Sequence, residues 1–138
     1  MNGPPLYEGS ILVVDDSETI VETLKETLEH FGVPGENIFT AQNPKDALKL
    51  FSEKEPPVVF MDLDLDGTPG DPAAIKILKS KPGTKLILMS GYDRRDARVR
   101  DLVSAGAYEF LEKPLRVARL AQLMQLIDSE EKGLRRVS

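Results

Sequence analysis

The sequence has no cysteine, no tryptophan and a single histidine, and only 6% of its 138 residues are aromatic. Without cysteine there can be no disulfide and no thiolate metal site, which suits a reducing compartment. No segment approaches the roughly 20 apolar residues that a membrane-spanning helix needs. Met1 to Gly9 has neither the basic start nor the apolar stretch of a signal peptide. A cytoplasmic protein with no membrane contact is therefore expected. Basic charge is also in deficit: 18 Lys and Arg stand against 23 Asp and Glu, a net charge of -5. That sign argues against a nucleic-acid surface. No glycine-rich phosphate loop follows the first apolar run, so a nucleotide or flavin binder is disfavoured.

Apolar residues make up 41% of the chain, enough at this length for one core and too few for two. The central stretch is Val58-Val59-Phe60-Met61-Asp62-Leu63-Asp64-Leu65-Asp66-Gly67, where four apolar residues run into three alternating carboxylates. Opened by Pro56-Pro57, it reads as a strand buried on both faces, as in parallel sheets covered by helices. A carboxylate at the mouth of such a strand is costly unless it meets a cation or hydrogen-bond donors.

Other runs share this grammar. Ile11-Leu12-Val13-Val14 ends in Asp15-Asp16-Ser17, Lys85-Leu86-Ile87-Leu88-Met89 in Ser90-Gly91, and Tyr108-Glu109-Phe110-Leu111-Glu112 in Lys113-Pro114. A short second strand falls on Ile38-Phe39-Thr40-Ala41. Between the strands, apolar residues recur at helical spacing: Ile20, Leu24, Leu28 and Phe31, then Ala47, Leu50 and Phe51, then Ala74, Ile77 and Leu78, then Val99, Leu102 and Val103. A last helix carries Val117, Leu120, Ala121 and Met124, and periodicity fades from about Asp128. Asp16 or Ser17 is expected to cap the first helix, and Asn43-Pro44 to open the second. The expected domain is residues 10–128, with tails at 1–9 and 129–138.

Five alternations of strand and helix with short connections predict a parallel sheet wrapped on both faces. Every strand then presents its carboxyl end on one edge, so Asp15, Asp16, Asp62, Ser90 and Lys113 face one crevice. Carboxylates suit a hard divalent cation such as Mg²⁺, a lysine suits a phosphoryl oxygen, and a hydroxyl can bond another oxygen. One carboxylate can then act as nucleophile on phosphorus.

In these motifs the sequence resembles the receiver domain of two-component response regulators over roughly residues 10 to 128. The resemblance implies a flavodoxin-like sheet of order 2-1-3-4-5. It implies Asp62 as phosphoacceptor, and Mg²⁺ held directly by Asp16 and Asp62, through water by Asp15, and by the backbone carbonyl of Asp64. Ser90 would be the switch hydroxyl and Phe110 the switch aromatic, turning inward when Ser90 moves. Lys113 would bind the phosphoryl group ahead of a cis proline. The partners implied are a histidine kinase or histidine phosphotransfer protein, and a downstream protein at the face of the fourth helix, fifth strand and fifth helix, where Arg94, Arg95 and Arg98 would sit. Such a domain catalyses only its own phosphorylation and dephosphorylation. It would be a stand-alone regulator or a receiver cut from a longer chain. Receivers usually carry proline four residues after the phosphoacceptor, where this chain has Asp66.

An alternative resemblance is to haloacid-dehalogenase-type phosphatases. Asp64-Leu65-Asp66-Gly67-Thr68 matches their nucleophile motif, with Asp64 attacking phosphorus and Asp66 as acid/base. It lacks the acidic pair those enzymes carry after the lysine strand, and it leaves Asp15 and Asp16 without a role.

Overall fold

In the computed structural model, β1 (Ile11–Val14), β2 (Ile38–Ala41), β3 (Val58–Asp62), β4 (Lys85–Ser90) and β5 (Glu109–Glu112) alternate with α1 (Glu18–His30), α2 (Pro44–Lys54), α3 (Asp71–Ser80), α4 (Ala97–Ser104) and α5 (Val117–Val137). The structure describes residue 7 and residues 9–65, 70–92 and 95–137. The strands form one parallel sheet of order β2-β1-β3-β4-β5, as expected from the sequence.

The strands lie parallel because each connection crosses back over the sheet as a helix, and their side chains alternate between two cores. Leu12, Val14, Val59, Met61, Leu86 and Leu88 point to the side covered by α2, α3 and α4. Ile11, Val13, Val58, Phe60, Ile87 and Met89 point to the side covered by α1 and α5. With both faces covered, the central strands are apolar at every position rather than at alternate ones. Each such side chain taken fully from water contributes about 1.5–3 kcal/mol.

The helices start and stop where local chemistry dictates. Ser17 Oγ accepts from the Ile20 amide and Asn43 Oδ1 from the Asp46 amide, capping α1 and α2. Gly32 and Gly106, at φ of 96° and 118°, let the chain leave α1 and α4 through the left-handed region.

Two expectations need correction. Val103 is 46% exposed, so the buried stripe of α4 is Val99 and Leu102. In an eight-residue helix at the sheet margin, the row holding Val103 faces out. The last helix also does not end near Asp128 but runs to Val137. Tyr7 is buried against this side of the sheet, and its hydroxyl donates to Glu131 at 3.3 Å. Asp128 and Lys132 pair at 2.9 Å one turn apart.

Candidate functional site

The carboxyl ends of β1, β3, β4 and β5 share one edge, and the sequence-expected residues gather there. Asp15 continues the β1 line, its amide bonded to the Ala41 carbonyl at 3.1 Å. Its Oδ1 accepts from the Ser17 amide at 2.9 Å, so the turn that starts α1 also orients this carboxylate. Asp62 is the last residue of β3. Asp15 and Asp62 are 0% and 1% exposed, whereas Asp16 faces solvent. One carboxylate oxygen from each of the three lies within 4.8 Å of the others.

Lys113 answers part of this charge. Its Nζ lies 3.0 Å from Asp62 Oδ1 and 3.2 Å from Asp15 Oδ2. Asp62 Oδ1 also accepts from the Asp64 amide at 2.9 Å, while Oδ2 is buried with no hydrogen-bond partner among the described residues. Burial pushes the Asp62 carboxyl up to about 6, helped by the nearby Asp15 charge and opposed by the Asp64 amide and Lys113. Burial alone would lower the Lys113 ammonium, but the hydrogen bond and charge of Asp62, and then Asp15, outweigh it and hold it above its ordinary value. Three carboxylates against one ammonium leave excess negative charge, and two buried oxygens, Asp15 Oδ2 and Asp62 Oδ2, have no hydrogen-bond partner among the described residues, the first facing Lys113 only as a charge. This donor set fits a hard divalent cation, which binds oxygen and completes its shell with water.

Ser90 ends β4 fully buried. Its hydroxyl accepts from the Tyr92 amide at 3.0 Å and donates to Asp64 Oδ1 at 3.0 Å. Asp64 Oδ2 accepts from the Gly91 amide at 2.8 Å. The Asp64 side chain thus ties the loop after β3 to the loop after β4, an engagement the sequence reading did not contain. Arg98 on α4 stands nearby, 3.9 Å from Asp64, 3.8 Å from Asp71 and 3.6 Å from Asp96, and 4.6 Å from the centre of the Tyr92 ring. Those separations exceed hydrogen-bond length, so Arg98 acts there as a neighbouring charge.

Gly70, also missed, lies against the end of β3: a Cβ there would overlap the Asp62 carbonyl oxygen. Its only signal in the sequence was its place just before Asp71-Pro72.

Phe110 departs from the expected resting position. It is 3% exposed and already packed in the core beneath α3 and α4. With a purely apolar ring, burial beside Leu88 on the neighbouring strand is its low-energy place. The Lys113–Pro114 bond is cis. Asp66 and Arg94 lie outside the described residues.

Residues 11–125 match the response regulator receiver domain family. The chain belongs to that family. The receiver resembles the chemotaxis protein CheY of Thermotoga maritima, at 29% identity over 119 residues that cover 85% of this chain and 95% of that one. A putative NtrX-like response regulator of Rickettsia felis is 32% identical over 117 residues, 83% of this chain and 24% of that one. The chain thus spans nearly all of one relative and about a quarter of the other. Among solved structures, a receiver domain protein from Clostridium thermocellum superposes with a TM-score of 0.79 at 27% identity, covering 91% of this chain and 98% of that one. A CheY-like receiver from Methanospirillum hungatei shares the fold with a TM-score of 0.81 at 23% identity, covering 92% and 98%.

Receiver domains are signalling domains of two-component systems, which implies a phosphoryl-donating kinase or phosphotransfer partner. Receivers typically bind a divalent metal at an acidic cluster, and such a cluster is present here. Family membership sets aside the phosphatase reading, and Asp64, its nucleophile, has both oxygens engaged by Ser90 and Gly91. No helix among the described residues is long and apolar enough to cross a membrane, and α5 continues beyond residue 125, where the family match ends.

Proposed function

We propose that this receiver takes a phosphoryl group onto Asp62 from a phosphohistidine donor and reports it by changing a protein-binding face. The observation that carries the reading is the asymmetry of the Asp62 carboxylate. Oδ1 is pinned by Lys113 and the Asp64 amide, while Oδ2 is buried and unpartnered among the described residues.

With its carboxyl near 6, Asp62 is about nine-tenths ionised at pH 7. The Oδ2 lone pair attacks phosphorus, and the bond from phosphorus to the donor imidazole nitrogen breaks with its electron pair going to the ring. The product is an acyl phosphate on Asp62 and a free histidine on the donor. Asp16 and Asp62, with Asp15 through water and the Asp64 backbone carbonyl, would hold Mg²⁺, which when bound supplies positive charge for the phosphoryl oxygens. Lys113 supplies a second cation at a fixed position and keeps the pocket from repelling the incoming group. Ser90 offers a buried hydroxyl at the end of β4.

The face formed by α4, β5 and α5 is the surface this pocket would change. A groove of about 980 Å³ opens there, lined by Arg95, Phe110, Lys113, Arg116, Arg119 and Gln122. Lys113 belongs to both groove and pocket, which gives a direct route between them.

Incubation with Mg²⁺ and acetyl phosphate tests the reading. Mass spectrometry should find one acid-stable, alkali-labile phosphoryl group, lost in Asp62→Asn and kept in Asp64→Asn. Undiminished incorporation in Asp62→Asn would overturn it.

A further inference from the structure

The Asp64 side chain does something that holding a metal or accepting phosphate does not require. It spans two donors at the end of β4, one carboxylate oxygen on each: the Ser90 hydroxyl at 3.0 Å and the Gly91 amide at 2.8 Å. A hydroxyl and a backbone amide side by side form a cradle for an oxyanion, the arrangement by which proteins hold negative oxygen. Here the cradle is filled by the chain's own anion. The same residue donates its amide to Asp62 Oδ1 at 2.9 Å, so Asp64 sits between the acceptor and the cradle.

We propose that Asp64 is a positioning residue whose carboxylate acts as an internal anion, occupying the Ser90–Gly91 cradle until an oxyanion carried on Asp62 displaces it. The inference rests on Asp62 being the phosphoryl acceptor. Ser90 has little freedom while the latch is closed, because its oxygen accepts from the Tyr92 amide and its hydrogen goes to Asp64. Two oxygens of a phosphoryl group span nearly the same gap as the two of a carboxylate, so the newcomer competes for both donors together. Arg98, 3.9 Å from Asp64 and too far for a hydrogen bond, gives the displaced carboxylate a cation to turn to. Displacement at β4 therefore reaches the first turn of α4. A latch closed nine-tenths of the time weakens apparent binding of the oxyanion about tenfold.

The probe is beryllofluoride, titrated at saturating Mg²⁺ and followed by amide NMR. Asp64→Ala should bind it about tenfold more tightly than the wild type, with Asp64→Asn between the two. Losing a negative charge near the pocket could strengthen binding without any latch, so the titration is repeated in Ser90→Ala. There the gain from Asp64→Ala should shrink several-fold, because one latched donor is already gone. Before any ligand is added, the Gly91 amide should exchange faster with solvent in Asp64→Ala than in the wild type.

An unchanged or weaker affinity in Asp64→Ala, or an equal gain in the Ser90→Ala background, overturns the latch while leaving Asp62 as acceptor. Failure of the wild type and of both Asp64 variants to bind beryllofluoride removes the acceptor reading and the latch with it.

Discussion

The Lys113 ammonium lies 3.0 Å from one oxygen of Asp62 and leaves the other without a hydrogen-bond partner among the described residues. One cation thereby both restrains the buried repulsion between Asp15 and Asp62 and orients the Asp62 carboxylate.

Replacing Lys113 exposes that repulsion. Lys113→Met leaves Asp15 and Asp62 facing each other in a buried site, and should destabilise the metal-free protein by about 2 kcal/mol at pH 7.5, less than for a fully buried pair because the lysine is partly exposed. The loss should shrink below pH 6 as Asp62 takes up its proton. Urea denaturation at the two pH values measures this, and a loss that does not change with pH would count against it.

Asp62 itself opposes folding at neutral pH. Its carboxyl holds a proton to about 6 in the fold against 3.8 ordinarily, so the folded state binds the proton more tightly, and stability falls as pH rises from about 4 to 6. Asp62→Asn in EDTA should therefore stabilise the protein by about 1–3 kcal/mol at pH 7.5. The gain should shrink to about half a kcal/mol by pH 4 and vanish below about pH 3, where the aspartate is protonated in both states. Destabilisation at pH 7.5 would mean that the pairing with Lys113 outweighs desolvation.

Mg²⁺ should reverse the sign of that residue's effect. A cation bound only to the folded state stabilises it by about 1.4 kcal/mol at ten times its dissociation constant. Thermal melts should show the wild type gaining stability with millimolar Mg²⁺, while Asp62→Asn and Asp16→Asn gain much less. Equal shifts in all three would place the metal elsewhere.

Tyr7 offers a test far from the pocket. The ring is 1% exposed, while its hydroxyl makes one bond of 3.3 Å to Glu131. Tyr7→Ala should cost about 3 kcal/mol through the cavity it leaves, and Tyr7→Phe no more than about 1 kcal/mol. Similar losses for both would show that the hydrogen bond, not packing, anchors the segment.

How far the sequence could be read follows from which forces leave a pattern. β1 and β3 were legible because two-sided burial makes every residue apolar until the carboxylates begin. The gathering of Asp15, Asp62, Ser90 and Lys113 followed from parallel strands ending on one edge. The end of α5 was not legible, because apolar periodicity marks only a helix that faces a core. Beyond Asp128 the helix is held by Tyr7 at Glu131 and by the Asp128–Lys132 pair, while Tyr108, its phenol pushed up to about 12 by burial and by the adjacent Glu130 carboxylate, lies against it. The side-chain role of Asp64 was hidden for another reason. Its partners are 26 and 27 residues away, and only the closed fold brings them within reach. The resting place of Phe110 was equally a matter of packing, to which the spacing of residues is blind.

The contact between Tyr92 and Arg98 gives the molecule a built-in optical gauge. With no tryptophan, its near-ultraviolet emission comes from three tyrosines. Tyr7 is sealed in the core and Tyr108 is half-buried, whereas Tyr92 is 50% exposed with the Arg98 guanidinium over its ring. Acrylamide reaches an exposed ring far more readily than a buried one, so quenching reads Tyr92 almost selectively. Any shift of the first turn of α4 against the loop after β4 uncovers or shields that ring, which makes the motion visible in unlabelled protein.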